Sequence, residues 1–289
     1  MSEIASQEIL SAAEENEKQK RTVAEAFREF GLSFEIEKHP DLHQRLVDTR
    51  EHFQDAHEMA RMIFAIKDKL ELEPADFEKL LTATLLHDIG KSGPPHCAEG
   101  SALRTKVKML FPHGYVPNFP PTFGGFAELV GLDDDPEKIA AELSNDDTVV
   151  EVEMKPILFL RLHVFWTYQV LKEAGIDDEI VKIAASHHLL EDKNPAQLNV
   201  AEISSSAKFL EMTDKYHAYL YRILALADKL QAFQGRGAKA LPHSETIAAL
   251  RRKVFENETL PAAVKDEYEE IIRTVFEPSE KELGIRAQP

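Results

Sequence analysis

Five places in the chain set His or Asp inside apolar surroundings: His52, the pair His87-Asp88, His163, the pair His187-His188, and Asp228. Most of them lie in stretches such as TATLLHDIG, LFLRLHVFW, KIAASHHLL and RILALADKL, which read as core. Burying an imidazole or a carboxylate there is costly unless the group is paired or holds a metal. Imidazole suits Fe, Zn, Mn, Cu or Ni, and a carboxylate can bridge two cations. Five histidines and two aspartates exceed what one octahedral ion needs with water retained. They suit two ions sharing a carboxylate. Two ions about 3.5–4 Å apart can clamp a phosphoryl group and present a bridging hydroxide. Taken singly, each group has a plainer reading. His163 reads as a satisfied core histidine, His187-His188 as a helix end, where His is favoured, and Asp228 as the partner of Lys229. The order of all five on one helical frame is what points to a metal centre.

The frame is all-α. Apolar residues recur at helical spacing through most of the chain, and few stretches alternate as strands do. A charged helix is expected over about 5–30, a short link over 33–38, and one long helix over about 40–70. On the last, Ala56, Met59, Ala60, Ile63, Ile66 and Leu70 share a face, and His52 lies on that face one turn before Ala56. The next helix is expected from Pro74, a residue suited to a first turn, to about Asp88. Residues 92–153 concentrate Pro, Gly and aromatics and read as an irregular insertion with one or two short helices, such as 135–144. Helices are expected again over about 154–174, 177–188, 206–233, 244–257 and 261–275, with a loop at 191–199.

The 289 residues hold 34 Lys and Arg against 51 Asp and Glu, a net charge of −17. That excess argues against a broad grip on a nucleic-acid polymer or an anionic membrane. It leaves room for a small anion in a locally positive pocket. Cys97 is the only cysteine, so no intrachain disulfide forms. The polar, acidic start lacks the features of a signal peptide. The most apolar run, Pro156 to Trp166, is broken by Arg161 and His163 and is too short to span a bilayer. A cytoplasmic protein is expected.

HDIGK at 87–91, RILALADKLQA at 222–232, the double His before that segment and His163 before the double His together resemble an HD-domain phosphohydrolase. Within that group the chain is similar to a divergent HD-GYP domain, a family that hydrolyses the bacterial signal cyclic di-GMP. The resemblance covers about residues 46–240 without the insertion. It implies an HD-domain helical bundle over 46–289 with the insertion at 92–153 and a short N-terminal helical arm over 1–45. It implies that His52, His87, Asp88 and Asp228 hold a first metal, and that Asp88 bridges to a second completed by His163, His187 and His188. His52 is preferred to His57 because the positions 4, 8 and 11 residues on are Ala, Ala and Ile, whereas His57 is followed by Arg61 and Asp68 at 4 and 11. His57 remains the alternative.

By the same resemblance Lys91 contacts a substrate phosphate, and Arg236 and Lys239 grip a second phosphate or the nucleotide. Asp48 stands where some members place a third-metal ligand. Two transition-metal ions are implied, iron first, with Mn, Ni or Zn compatible. The implied partner is a small cyclic dinucleotide, and the N-terminal arm could bind a protein or dimerise.

The chain also departs from the family. After the double His the family runs Glu-x-x-Asp-Gly-x-Gly-Tyr-Pro. Here Leu189-Leu190-Glu191-Asp192-Lys193-Asn194-Pro195 lacks both glycines and the tyrosine. The step from His87 to His163 is 76 residues, longer than usual, because of the insertion. His96, Cys97, His113, Tyr115 and Phe111, Phe119, Phe123 and Phe126 lie in it. It reads either as a surface elaboration with its own small core or as a lid that contacts bases. Three functions stay open: a cyclic dinucleotide phosphodiesterase, an HD hydrolase of another nucleotide or phosphate ester, and a signalling module that binds a cyclic nucleotide without turnover.

Overall fold

In the computed structural model, residues 2–112, 120–145, 148–190, 219–235, 241–258 and 260–277 are described. They form helices joined by turns, and the only bridge among them is the isolated pair Asn145–Thr148. The helices are α1 (Ser2–Glu29), α2 (Pro40–Asp48), α3 (Arg50–Ala65), α4 (Lys67–Leu70), α5 (Pro74–Leu86), α6 (Ala102–Leu110) and α7 (Phe123–Leu129). After them come α8 (Pro136–Leu143), α9 (Pro156–Glu173), α10 (Asp178–Ala184), α11 (Tyr219–Gly235), α12 (His243–Phe255) and α13 (Ala262–Ile271). The expected all-α class holds. Among the described residues no helix is long and apolar enough to cross a membrane.

Local chemistry sets the ends. Pro40, Pro74, Pro136 and Pro156 begin four helices, where a missing N–H costs nothing. Ser101, Thr122, Asp135 and Asp177 cap four with side-chain oxygens.

The expected helix over 40–70 is three. Thr49 leaves helical geometry at φ −107°, ψ 35°, and its hydroxyl donates to the Arg45 carbonyl at 2.9 Å. The bend lets α2 and α3 aim at different targets. Arg45, 1% exposed, donates to the Ser92 hydroxyl at 2.9 Å and to the carbonyls of Gly93 at 3.1 Å and Pro95 at 2.9 Å. Helix α3 meanwhile turns His52 inward. The expected one or two helices of 92–153 are at least three, α6, α7 and α8, and the last matches 135–144 closely.

Two cores meet at α9. One gathers Val23 and Phe27 of α1, the apolar faces of α2 to α5, and α10 to α13. The other gathers Cys97, Val107, Leu110, Phe123, Phe126, Ile139 and Leu143 around Phe159, Phe165 and Trp166 of α9. The second half of α1 is therefore part of the main core. Phe123 and Phe126 are fully buried in the second core, so they pack rather than contact bases.

Candidate metal centre

The HDIGK residues turn the chain out of α5. Helix α5 ends at Leu86, and a 3-10 turn runs over Ile89–Ser92. Gly93, at φ +95°, closes that turn by donating its N–H to the Gly90 carbonyl at 2.9 Å. The turn lies flat against α9. Thr167, fully buried, donates its hydroxyl to the His87 carbonyl at 2.9 Å and accepts from the Gly90 N–H at 3.0 Å. A single side chain on α9 thus spans the motif. The packing leaves no room at Gly90, where a Cβ would lie 1.9 Å from the His163 carbonyl oxygen.

This arrangement brings three helix ends and one helix face to the Asp88 carboxylate. Oδ1 lies 3.3 Å from His163 Nε2 and 3.6 Å from His187 Nε2. Oδ2 lies 3.5 Å from His87 Nε2 and 2.5 Å from Lys91 Nζ. The Nδ1–H groups of His87 and His187 donate to the carbonyls of Thr84 at 2.7 Å and Ala184 at 2.8 Å. That of His163 donates to Leu160. A carbonyl can only accept, so each of these rings carries its proton on Nδ1. Each then turns Nε2 towards Asp88, the orientation typical of metal-ligating histidines.

Protonation makes the cluster hungry for a cation. Burial pushes His163, His187 and His188 down from the ordinary value of 6.5. For His163 this outweighs the pull of Asp88; for His187 and His188, neighbouring histidines add to it. Burial also pushes Asp88 up, but Lys91, His87 and His163 together hold it well below the usual carboxylate range. The ring nitrogens His163 Nε2 and His187 Nε2 lie 3.0 Å apart. With both rings neutral and both protons on Nδ1, two lone pairs face each other beside an anion. A metal ion resolves that conflict, so the donor set fits one. Ligand atoms of His163, His187 and His188 all lie within 4.8 Å of one another.

The remaining expected ligands join at the edges. Asp228, on α11, is 8% exposed and meets Lys229 Nζ at 3.2 Å. Burial raises its pKa, but Lys229, His187 and His87 bring it down to about 2. His52 donates from Nε2 to the Phe111 carbonyl at 3.0 Å, and its Nδ1 accepts from Lys91 at 3.2 Å. Lys91 therefore links His52 to Asp88. His57 points elsewhere: its Nε2 meets Glu29 at 2.8 Å, and its ring stacks on Phe53.

Asp48 sits outside the cluster. Its oxygens meet Arg104 Nε at 2.7 Å and Lys108 Nζ at 2.8 Å, so two protein cations already neutralise the carboxylate that a third ion needs. His96 contacts the Glu142 carbonyl at 2.8 Å, and Cys97 is buried in the second core. Arg236, Lys239, His113, Tyr115, Phe119 and the loop residues Glu191 to Pro195 lie outside the described residues. Thr167 is not among the expected site residues. Its one signal in the sequence is its place one turn after His163, on the same face of α9.

A cleft of about 240 Å³ opens beside His52 and Lys91, lined also by Asp48, Thr49, Arg50, Glu51, Lys108, Phe111 and Pro112. Lys91 forms part of its wall while bonded to Asp88 and His52. Phe111 brings the insertion to the mouth and packs edge-on against His163, with ring centroids 5.9 Å apart.

These shifts have a testable sign in the metal-free protein. In the unfolded chain the three histidines return to about 6.5 and take up protons that the folded state refuses. Stability is therefore fully present above about pH 6.5 and falls as pH drops below it, by up to about 1.4 kcal/mol per pH unit per histidine. Asp88 and Asp228, both depressed, add to the loss below their ordinary 3.8. Urea titrations in EDTA at about pH 7.5 and about pH 5.5 should show the lower midpoint at the acid value. An equal or higher midpoint at acid pH contradicts this assignment.

No curated protein and no solved structure matches the chain significantly. Residues 49–111 match the family model of the HD domain. The match contains His52, His87, Asp88 and Lys91, and it runs through Phe111 into the segment expected to be an insertion. Over this stretch the chain is similar to an HD domain.

Proposed function

We propose that the protein is a metal-dependent phosphohydrolase with a two-ion centre, and that its substrate is a cyclic dinucleotide, cyclic di-GMP first. The observation that carries the reading is the pair of histidine Nε2 atoms, of His163 and His187, 3.0 Å apart and 3.3 and 3.6 Å from the Asp88 carboxylate. His52, His87, Asp88 and Asp228 would hold one ion, and Asp88, His163, His187 and His188 the other. Bound there, divalent ions supply Lewis acidity at a phosphoryl oxygen and lower the pKa of a coordinated water.

The chain's own residues prepare this. Ligands must be deprotonated to bind. Burial keeps His163, His187 and His188 neutral, and the surrounding cations keep Asp88 and Asp228 ionised. The Nδ1–carbonyl bonds fix the rings, so little reorganisation is needed. Lys91 stands where negative charge on a phosphate would be neutralised.

One observation favours a second substrate reading. The described cleft is about 240 Å³, below the roughly 300–1,000 Å³ common for ligand pockets. That suits a smaller nucleotide or phosphate ester entering by its phosphate end.

The test is metal analysis of freshly purified protein, then a substrate panel of cyclic di-GMP, other cyclic dinucleotides, mononucleotides and simple phosphate esters. The expected result is two transition-metal ions per chain, iron first with Mn, Ni or Zn as alternatives, and hydrolysis abolished by EDTA. Full metal content with turnover of a phosphate ester alone would favour the second reading. Tight binding of a cyclic dinucleotide without hydrolysis would leave a signalling module. A chain without bound metal would overturn the centre.

A further inference from the structure

The lining of the cleft beside the centre holds more cations than carboxylates, although the molecule is acidic. Across a chain of net charge −17, its lining brings together Arg50, Lys91 and Lys108 against Asp48 and Glu51. The excess has a structural origin. Behind the wall, Arg45 and Arg104, both 1% exposed, share Asp41, at 2.6 Å and 2.9 Å. Arg104 also reaches Asp48. Lys108 then adds a third cation to two carboxylates, and it is the cation of this network that faces solvent, at 39% exposed. Asp48 is thus already paired from behind by Arg104, and Lys108 stands at the mouth. Lys108 comes from α6 and Arg50 from the start of α3, so the two arrive on separate elements. Phe111 and Pro112 supply an apolar wall between this mouth and His163.

We infer that Lys108 and Arg50 form an anion subsite beside the centre, and that it takes a second phosphate group of the substrate. The substrate class is then a phosphate ester bearing two phosphates, such as a nucleoside diphosphate or a dinucleotide, rather than a simple monoester. This rests on the hydrolase reading for its biological sense, since that reading puts the reacting phosphate at Asp88 and Lys91. The physical claim of anion binding does not depend on turnover. The side chain of Lys108 is free to leave Asp48 for a phosphate, because Arg104 stays behind to hold that carboxylate.

Calorimetric titration with ADP and with AMP tests it, on protein as purified and on protein stripped with EDTA. The wild-type chain should bind ADP more tightly than AMP by about tenfold or more, the scale of one bond between charged groups. Lys108→Glu, and Arg50→Glu independently, should erase that preference in both preparations while metal content stays unchanged. Lys108→Gln, which removes the charge without placing a repelling acid beside Asp48, should weaken the preference in the same direction. An ADP preference that survives Lys108→Gln and Arg50→Glu, or that is absent from the wild type, overturns the subsite. Protein that contains no metal as purified, before any EDTA, yet loses its ADP preference on Lys108→Gln refutes the hydrolase reading and leaves the subsite standing.

Discussion

Replacing Gly90 by alanine should unfold the protein or cost it about 4 kcal/mol or more, the exceptional range for one substitution. The added Cβ would stand 1.9 Å from the His163 carbonyl oxygen, 2.5 Å from the Thr167 nitrogen and 2.8 Å from the Thr167 hydroxyl. Two of the three are backbone atoms of α9, so no rotamer change relieves the overlap. Either α9 retreats or the motif turn lifts away, and either movement separates the two bonds that Thr167 makes across the motif. The same movement pulls His163 from Asp88, now 3.3 Å away. Urea denaturation measures the stability loss, and elemental analysis of any folded fraction measures the loss of metal. Gly100, around whose Cβ position nothing lies within 4 Å, is a control for the handling of a glycine variant, although its φ of +71° makes Gly100→Ala mildly strained. A Gly90→Ala chain with wild-type stability would mean that α9 does not pack against this turn as described.

Gly90 also shows where sequence reading stops. The helices are legible because their signals are local: Pro at four starts, period-3.6 apolar faces, and oxygen caps. The break at Thr49 is not, because periodicity runs through it and the contacts of Arg45 just before it are with residues 92–97, more than forty positions away. Helices α6 and α7 hide among Pro and Gly, although Ser101 and Thr122 stand as caps before them. At the centre, apolar flanks and spacing nominate the histidines and aspartates. The choice of His52 over His57 rests on which face of α3 is buried, and the structure sets His52 beside Lys91 and His57 beside Glu29. Thr167 escapes notice because a threonine on a buried helix face looks like any other β-branched core residue. Its role exists only once the HDIGK turn lies against α9. Composition alone leaves the aromatic residues of the insertion as base contacts or core, and burial of Phe123 and Phe126 assigns those two to core.

The second large effect falls on His187. His187→Ala should remove transition metal from the purified protein and lower turnover of whichever phosphate ester is hydrolysed by at least about 10²-fold, the scale set by losing one charge-stabilising group. The reason is geometric. His187 is fully buried, its ring is fixed through Nδ1 to Ala184, and its Nε2 sits 3.0 Å from that of His163 and 3.6 Å from Asp88. Alanine leaves His163 and His188 without the third imidazole of their cluster. In EDTA the sign of the stability change is informative. Removing the ring leaves a cavity, which destabilises, but it also ends the opposition of two lone pairs. The stability lost on substitution should therefore be smaller when both proteins are compared in EDTA than when both are compared as purified, and the difference between the two losses reports ion binding by the wild type, because a bound ion stabilises only the folded chain. His57→Ala is the matched control: its ring lies against Phe53 and Glu29, so metal content and turnover should stay at wild-type levels. If His187→Ala retains its metal while His57→Ala loses it, the cluster around Asp88 is not the metal centre.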